Sequence, residues 1–170
     1  MASKITASTL KVTIQEDIKL NSVQQGGVNT FNISSVNEIY KRIVTCPASV
    51  NTAIATFKST TSVTGSAGTT AKATSLDMED VKYIRVTNLD DSNSVNLSLQ
   101  VDTGENDTAA DESATLLLEA EKSFMMGSPH DGIKVRSDAA TIITDLVDLE
   151  SIIIDPSDNA VDIEIFIASV

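Results

Sequence analysis

Apolar and polar side chains alternate along several stretches of this chain with a period of two, the mark of half-buried strands. The cleanest stretch is residues 94–101, where Val95, Leu97, Leu99 and Val101 face one way and Ser94, Asn96, Ser98 and Gln100 the other. Just upstream, residues 81–88 alternate less cleanly. Ile84 and Val86 share a face with Lys82 and Asn88, opposite Val81, Tyr83 and Thr87, but the β-branched and aromatic content is that of a strand. Asp90, Asp91, Ser92 and Asn93 lie between the two runs and favour a turn, because their side chains bond to their own backbone. The pattern predicts an antiparallel hairpin over residues 81–101 at the centre of a β-rich domain.

The rest of the chain reads in the same way. Residues 10–15 predict a first strand, extended by Ile18-Lys19-Leu20 after a kink at Glu16-Asp17, with a turn at Gln24-Gln25-Gly26-Gly27 and a second strand over 29–34. The apolar spacing of residues 36–45 also fits a short helix, but the β-branched Ile43-Val44-Thr45 end favours a strand from Ile39 up to Pro47. Further strands are expected over 51–58, over 114–126 with a corner near Glu119–Lys122, and over 133–136. Residues 139–150 fit helix or strand. Ser151-Ile152-Ile153-Ile154 is a buried strand closed by a turn at Asp155-Pro156-Ser157-Asp158-Asn159, and the final run places Val161, Ile163, Ile165 and Ile167 inward.

Eight to ten short strands with turn signals between them predict an all-β fold, a single-domain antiparallel β-sandwich that is jelly-roll-like. An immunoglobulin-like sandwich is disfavoured by the absence of paired cysteines and a core tryptophan. The expected organisation is an N-terminal arm over residues 1–9 and a sandwich over 10–170. A projecting Ser/Thr/Gly loop is expected at 59–75, a segment that could also form an exposed hairpin.

Composition narrows the function more than it defines it. The 170 residues are 41% hydrophobic but only 4% aromatic, with no tryptophan, which suits a core of branched aliphatics and leaves few aromatic platforms for a sugar. The formal net charge is −12, and the twelve basic residues are scattered, so neither nucleic acid nor an anionic membrane is an expected partner. No apolar run approaches the roughly 20 residues of a membrane-spanning helix, and no signal peptide is evident, so a soluble protein made in the cytoplasm is expected. The single cysteine, Cys46, allows no internal disulfide and reads as a small buried hydrophobe.

Catalytic chemistry is thin. The one histidine, His130, beside Asp131, reads as a solvated loop side chain, and no nucleophile elbow, phosphate loop or dinucleotide fingerprint occurs. Glu119 and Glu121 would share one side of a strand, as a polar sheet face. Asp102, Glu105, Asp107, Asp111 and Glu112 form an acidic loop, and Asp155 and Asp158 an acidic turn. Calcium needs six to eight oxygen ligands and the spacing matches no EF-hand. No metal, cofactor or catalytic residue is therefore expected, and Asp102, Glu105 and Asp107 are the residues that a calcium ion would use.

The phrases Tyr83-Ile84-Arg85-Val86-Thr87-Asn88-Leu89-Asp90, Leu116-Leu117-Leu118-Glu119-Ala120-Glu121-Lys122-Ser123-Phe124-Met125-Met126, the short Gly132-Ile133-Lys134-Val135 strand and the final Val161-Asp162-Ile163-Glu164-Ile165-Phe166-Ile167-Ala168 together resemble small β-rich virion proteins of tailed bacteriophages. The resemblance spans residues 78–170 and rests on strand phrases, not on a diagnostic motif. It implies a non-enzymatic virion structural protein: first a capsid decoration (cement) protein on the outer shell, otherwise a tail, neck or fibre-base component. The implied partners are the major capsid protein or other virion proteins and further copies of the chain, a trimer being favoured. A carbohydrate-binding receptor-recognition jelly roll is the reading from a different class. The binding surface is expected in the loops 59–75 and 102–112 and in the N-terminal arm.

Overall fold

In a computed structural model, which describes residues 6–58, 62–64, 70–72, 76–77, 80–101, 112–127, 133–135 and 146–170, the alternating stretches become strands, and those after residue 37 build two facing sheets. The first four strands are β1 (Ser8–Gln15), β2 (Lys19–Leu20), β3 (Val23–Gln24) and β4 (Val28–Val36). The body follows with β5 (Glu38–Cys46), β6 (Thr52–Lys58), β7 (Ser62–Thr64), β8 (Thr70–Lys72), β9 (Leu76–Asp77), β10 (Val81–Asn88), β11 (Val95–Val101) and β12 (Glu112–Leu118). It ends with β13 (Ser123–Gly127), β14 (Lys134–Val135), β15 (Val147–Pro156) and β16 (Val161–Ser169).

One sheet runs β13-β10-β16-β5, antiparallel throughout. The other runs β12-β11-β15-β6, also antiparallel, with β9 added parallel to β6 and β14 beside β15. The links β5 to β6, β10 to β11, β12 to β13 and β15 to β16 each pass from one sheet to the other, and the two interlocked strand orders are those of a jelly roll. The expected fold class is therefore the observed one.

Alternation explains why the sheets pair as they do. Ile163, Ile165 and Ile167 of β16 and Ile84 and Val86 of β10 face Val95, Leu97 and Leu99 of β11 and Ile152 and Ile154 of β15, all of them buried. Phe57 is the one phenylalanine among these fully buried side chains. A β-bulge between Val81 and Tyr83 changes the phase of β10, so Val81 joins the core while Tyr83 turns to the outer face of its sheet. This shift is the reason residues 81–88 alternate imperfectly.

The predicted hairpin over residues 81–101 is not formed. β10 and β11 lie in opposite sheets, and the segment between them is an arch. Both edges of β10 are taken by β13 and β16, and both edges of β11 by β12 and β15, so the two cannot pair. The expected corner near residues 119–122 likewise carries the chain from β12 in one sheet to β13 in the other.

One side chain ties these two crossings together. Asn88 is fully buried. Its Nδ2 donates to the carbonyls of Asn93 (2.8 Å) and Leu118 (3.3 Å), and its Oδ1 accepts from the Asp90 amide (3.0 Å). Its own amide donates to the Lys122 carbonyl (3.0 Å), and the Glu121 amide donates to the Asp90 carbonyl (3.0 Å). All the donors and the acceptor of the Asn88 side chain are thus engaged. The Asp90 carboxylate closes the arch by accepting from the amides of Ser92 (2.9 Å) and Asn93 (2.6 Å), and these bonds hold its pKa below the usual carboxylate value.

Three smaller expectations change. The chain reverses at Asn21-Ser22, not at residues 24–27: both residues have positive φ (49° and 65°), the pattern of a two-residue hairpin turn between β2 and β3. Glu119 and Glu121 do not share a strand face, because β12 stops at Leu118 and Glu121 adopts φ 58° in the corner. Within 59–75, Ser62–Thr64 and Thr70–Lys72 pair antiparallel, the hairpin alternative for that segment.

Replacing Asn88 by alanine leaves the Leu118 and Asn93 carbonyls and the Asp90 amide without their partner. Asn88→Ala is expected to lower unfolding free energy by about 2–4 kcal/mol in urea titration with an unchanged β-sheet circular dichroism spectrum. A loss below about 0.5 kcal/mol would remove Asn88 from this role.

Candidate functional site

The four N-terminal strands form no part of either sheet. β1 and β4 pair only with each other, from Ser8↔Val36 to Gln15↔Val28, and β2 with β3 closes the tip, so residues 8–36 make one long two-stranded ribbon. The ribbon narrows where Gly26 meets Glu16: a Cβ on Gly26 would lie 2.1 Å from the Glu16 carbonyl oxygen, so only glycine fits there.

The ribbon is seated on the outer face of the β13-β10-β16-β5 sheet. Its inward side carries the cross-strand pairs Leu10 with Ile33 and Val12 with Phe31. Ile33 and Val36 are buried against Tyr83 and Ala168, flanked by Phe166 and Val170, and the Tyr83 and Phe166 rings meet edge-on at 6.0 Å. Phe31 reaches further, over Gly127 of β13, where an added Cβ would come within 3.3 Å of its ring. Val36 is one residue from β5, whereas Phe31 stands over β13, so the ribbon crosses the sheet from one edge to the other. Ser35, with φ 63°, makes the left-handed bend that turns the ribbon into β5.

Past Phe31 the ribbon leaves the body. Every residue from Thr13 to Thr30 is exposed except the half-buried Gly26. Ile18, Leu20, Val23 and Val28 are 59%, 63%, 59% and 67% exposed, and Ile14 joins them. Ile14, Glu16, Gly27, Val28 and Asn29 line a half-open hollow of about 320 Å³ on this overhang. Apolar side chains grouped on a projecting element mark an interaction surface, whereas single exposed ones elsewhere do not.

The same sheet face carries a second apolar group at its other edge. The register aligns Ile39-Ala168-Tyr83-Gly127 in one row, Lys41-Phe166-Arg85-Met125 in the next and Ile43-Glu164-Thr87-Ser123 in a third. The ribbon covers the Ala168-Tyr83-Gly127 part of the first row, while Ile39 and Ile43 on β5 stand 60% and 61% exposed. Between them the Glu164 carboxylate accepts from Arg85 (2.5 Å) and pairs with Lys41 (3.2 Å), so the open part of the face is close to charge-balanced.

Charge is partitioned along the chain. Residues 1–58 hold six of the twelve Lys and Arg but only three of the twenty-four Asp and Glu, so they are net +3 and the remaining residues carry −15. The ribbon itself is neutral, with Lys11 and Lys19 against Glu16 and Asp17.

The candidates for chemistry do not converge. Asp102, Glu105, Asp107 and Asp111, and the His130-Asp131 pair, lie outside the described residues; Glu112 opens β12, half-buried. Asp155 sits half-buried on β15 with Asn96 Nδ2 3.5 Å away, and Asp158 is exposed. Among the described residues no three His, Cys, Asp or Glu side chains gather. Cys46 is fully buried at the end of β5, where burial pushes its thiol up to about 11 against the lowering effect of a bond with Thr52. The ribbon tip and the β5 patch were missed by the sequence reading, since alternation marks apolar positions as buried whether or not a body lies beneath them.

No family model matches the chain, and neither a curated protein nor a solved structure matches it.

The raised Cys46 thiol gives a test of the buried β5 end. Its neutral form is favoured in the folded state, so its contribution to stability is complete below pH 9.0 and is lost as pH rises toward 11. Native protein at pH 8 is expected to resist iodoacetamide, with alkylation only after urea unfolding; fast native labelling would contradict the buried placement. Cys46→Val is expected to flatten the stability loss between pH 9 and 11.

Proposed function

We propose that this chain is a non-enzymatic structural protein of a tailed-bacteriophage virion, a capsid decoration protein bound to the outer shell as a closed homo-oligomer, a trimer by preference. The observation that carries this reading is the ribbon. A jelly-roll body grips the base of a two-stranded element at Ile33, Tyr83 and Ala168 and holds its apolar tip clear of the surface. Such a tip is an assembly element. The strand phrases in residues 78–170 that resemble phage virion proteins supply the setting, and the acidic excess of the body suits a more basic shell surface. No residue is assigned a catalytic role, and the virion is the proposed location.

Electron cryomicroscopy of source virions with and without this chain tests the reading. Loss of discrete density from the outer shell is the expected result. Unchanged density on both shell and tail removes the virion role, and loss from tail or neck alone moves the protein there. Saturable binding on a glycan array by the purified chain would instead support a receptor-recognition function.

A further inference from the structure

We infer that the occupant of the ribbon tip is a second copy of this chain: the overhang of one copy lies across the outer sheet face of the next, seating Leu20 and Val23 against Ile39 and Ile43 of its β5. This takes the ribbon to be an assembly element, as proposed above, but does not depend on which assembly contains it. Three observations support the choice of partner.

Both halves of the contact are present on one chain, at opposite edges of one sheet face. The ribbon departs over β13, and the uncovered apolar pair stands on β5. A tip and a patch placed in this way meet head to tail between neighbours, not by self-pairing of like surfaces. The reach is sufficient. From Val12 to Leu20 the overhang extends about 25 Å, whereas four strands spaced about 4.8 Å apart span roughly 14 Å, so the tip can cross the neighbouring sheet to its far edge.

Charge selects a second copy over a basic partner. A chain of net charge −12 repels its own copies, yet the ribbon is neutral and the open sheet rows are nearly balanced by Lys41, Arg85 and Glu164. The acid-depleted part of the molecule is therefore the part that can approach another acidic copy. The exposed Glu16 and Asp17 beside the tip complement the open rows, where Lys41 and Arg85 outnumber Glu164 by one charge. A surface meant for a basic shell would gain from the acidic excess that the ribbon lacks.

Sedimentation of the purified full chain tests the inference without any virion. Wild type is expected to form a discrete oligomer. Leu20→Asp with Val23→Asp, and separately Ile39→Asp with Ile43→Asp, are each expected to weaken self-association at least about a hundredfold with unchanged circular dichroism, since all four side chains are exposed. The deciding step mixes the two variants. One retains a working patch and the other a working tip, so together they should give a 1:1 dimer that neither forms alone. A variant that remains oligomeric after loss of the patch overturns the head-to-tail contact. A wild type that is monomeric at about 100 μM overturns the second copy as occupant, and shell imaging then still decides the virion role. As a check independent of affinity, Leu20→Cys with Ile43→Cys in a Cys46→Val background should form a disulfide between copies; only intramolecular or no cross-linking would count against the contact.

Discussion

The structure depends on the hydrogen bonds of one buried amide. A jelly roll must carry its chain repeatedly from one sheet to the other, and each crossing exposes backbone groups that no ladder can satisfy. Asn88 supplies partners at two crossings at once, the arch after β10 and the corner after β12, because its Nδ2 reaches both Asn93 and Leu118 while its amide reaches Lys122. The apolar core between the sheets, built from Ile84, Val86, Leu97, Ile152 and Ile165, supplies the cohesion, but branched aliphatics alone specify neither register nor which strand crosses where.

Much of this fold was legible in the chain, for reasons that also show where reading stops. Strands whose two sides differ, such as residues 94–101 and 160–170, announce both their existence and their inward face, and both were as expected. What alternation cannot convey is partnership. Residues 81–101 read as a hairpin because two strands with a turn between them are the local signature of one, yet β10 and β11 part into separate sheets when long-range neighbours occupy all four of their edges. The polar turn Asp90-Asp91-Ser92-Asn93 serves an arch as well as a hairpin. The same limit hid the candidate site. Ile14, Ile18, Leu20 and Val23 alternate or cluster as a core strand would, and only the position of Phe31 over Gly127 shows that the body ends beneath them. Likewise Ile39 and Ile43 match buried positions on β5 in pattern, but that side of the strand lies beyond the ribbon's cover.

The ribbon also accounts for an otherwise puzzling division of charge. The acidic groups are concentrated after residue 58, while the ribbon and the edge strand that follows it are nearly free of excess charge. Net charge and the exposed apolar ribbon thus occupy different stretches of one sequence.

The short passage from β4 to β5 has a mechanical consequence. Only Asn37 separates the ribbon from β5, and its amide is anchored to the Ser169 carbonyl at 3.0 Å. A pull on the tip runs across the strands, a direction in which β5, an edge strand, would peel from β16 one bond at a time. The seat of Ile33 and Phe31 on Tyr83, Ala168 and Gly127 lies in front of that seam and takes the load first. Under such a pull, packing must therefore slide before any ladder opens.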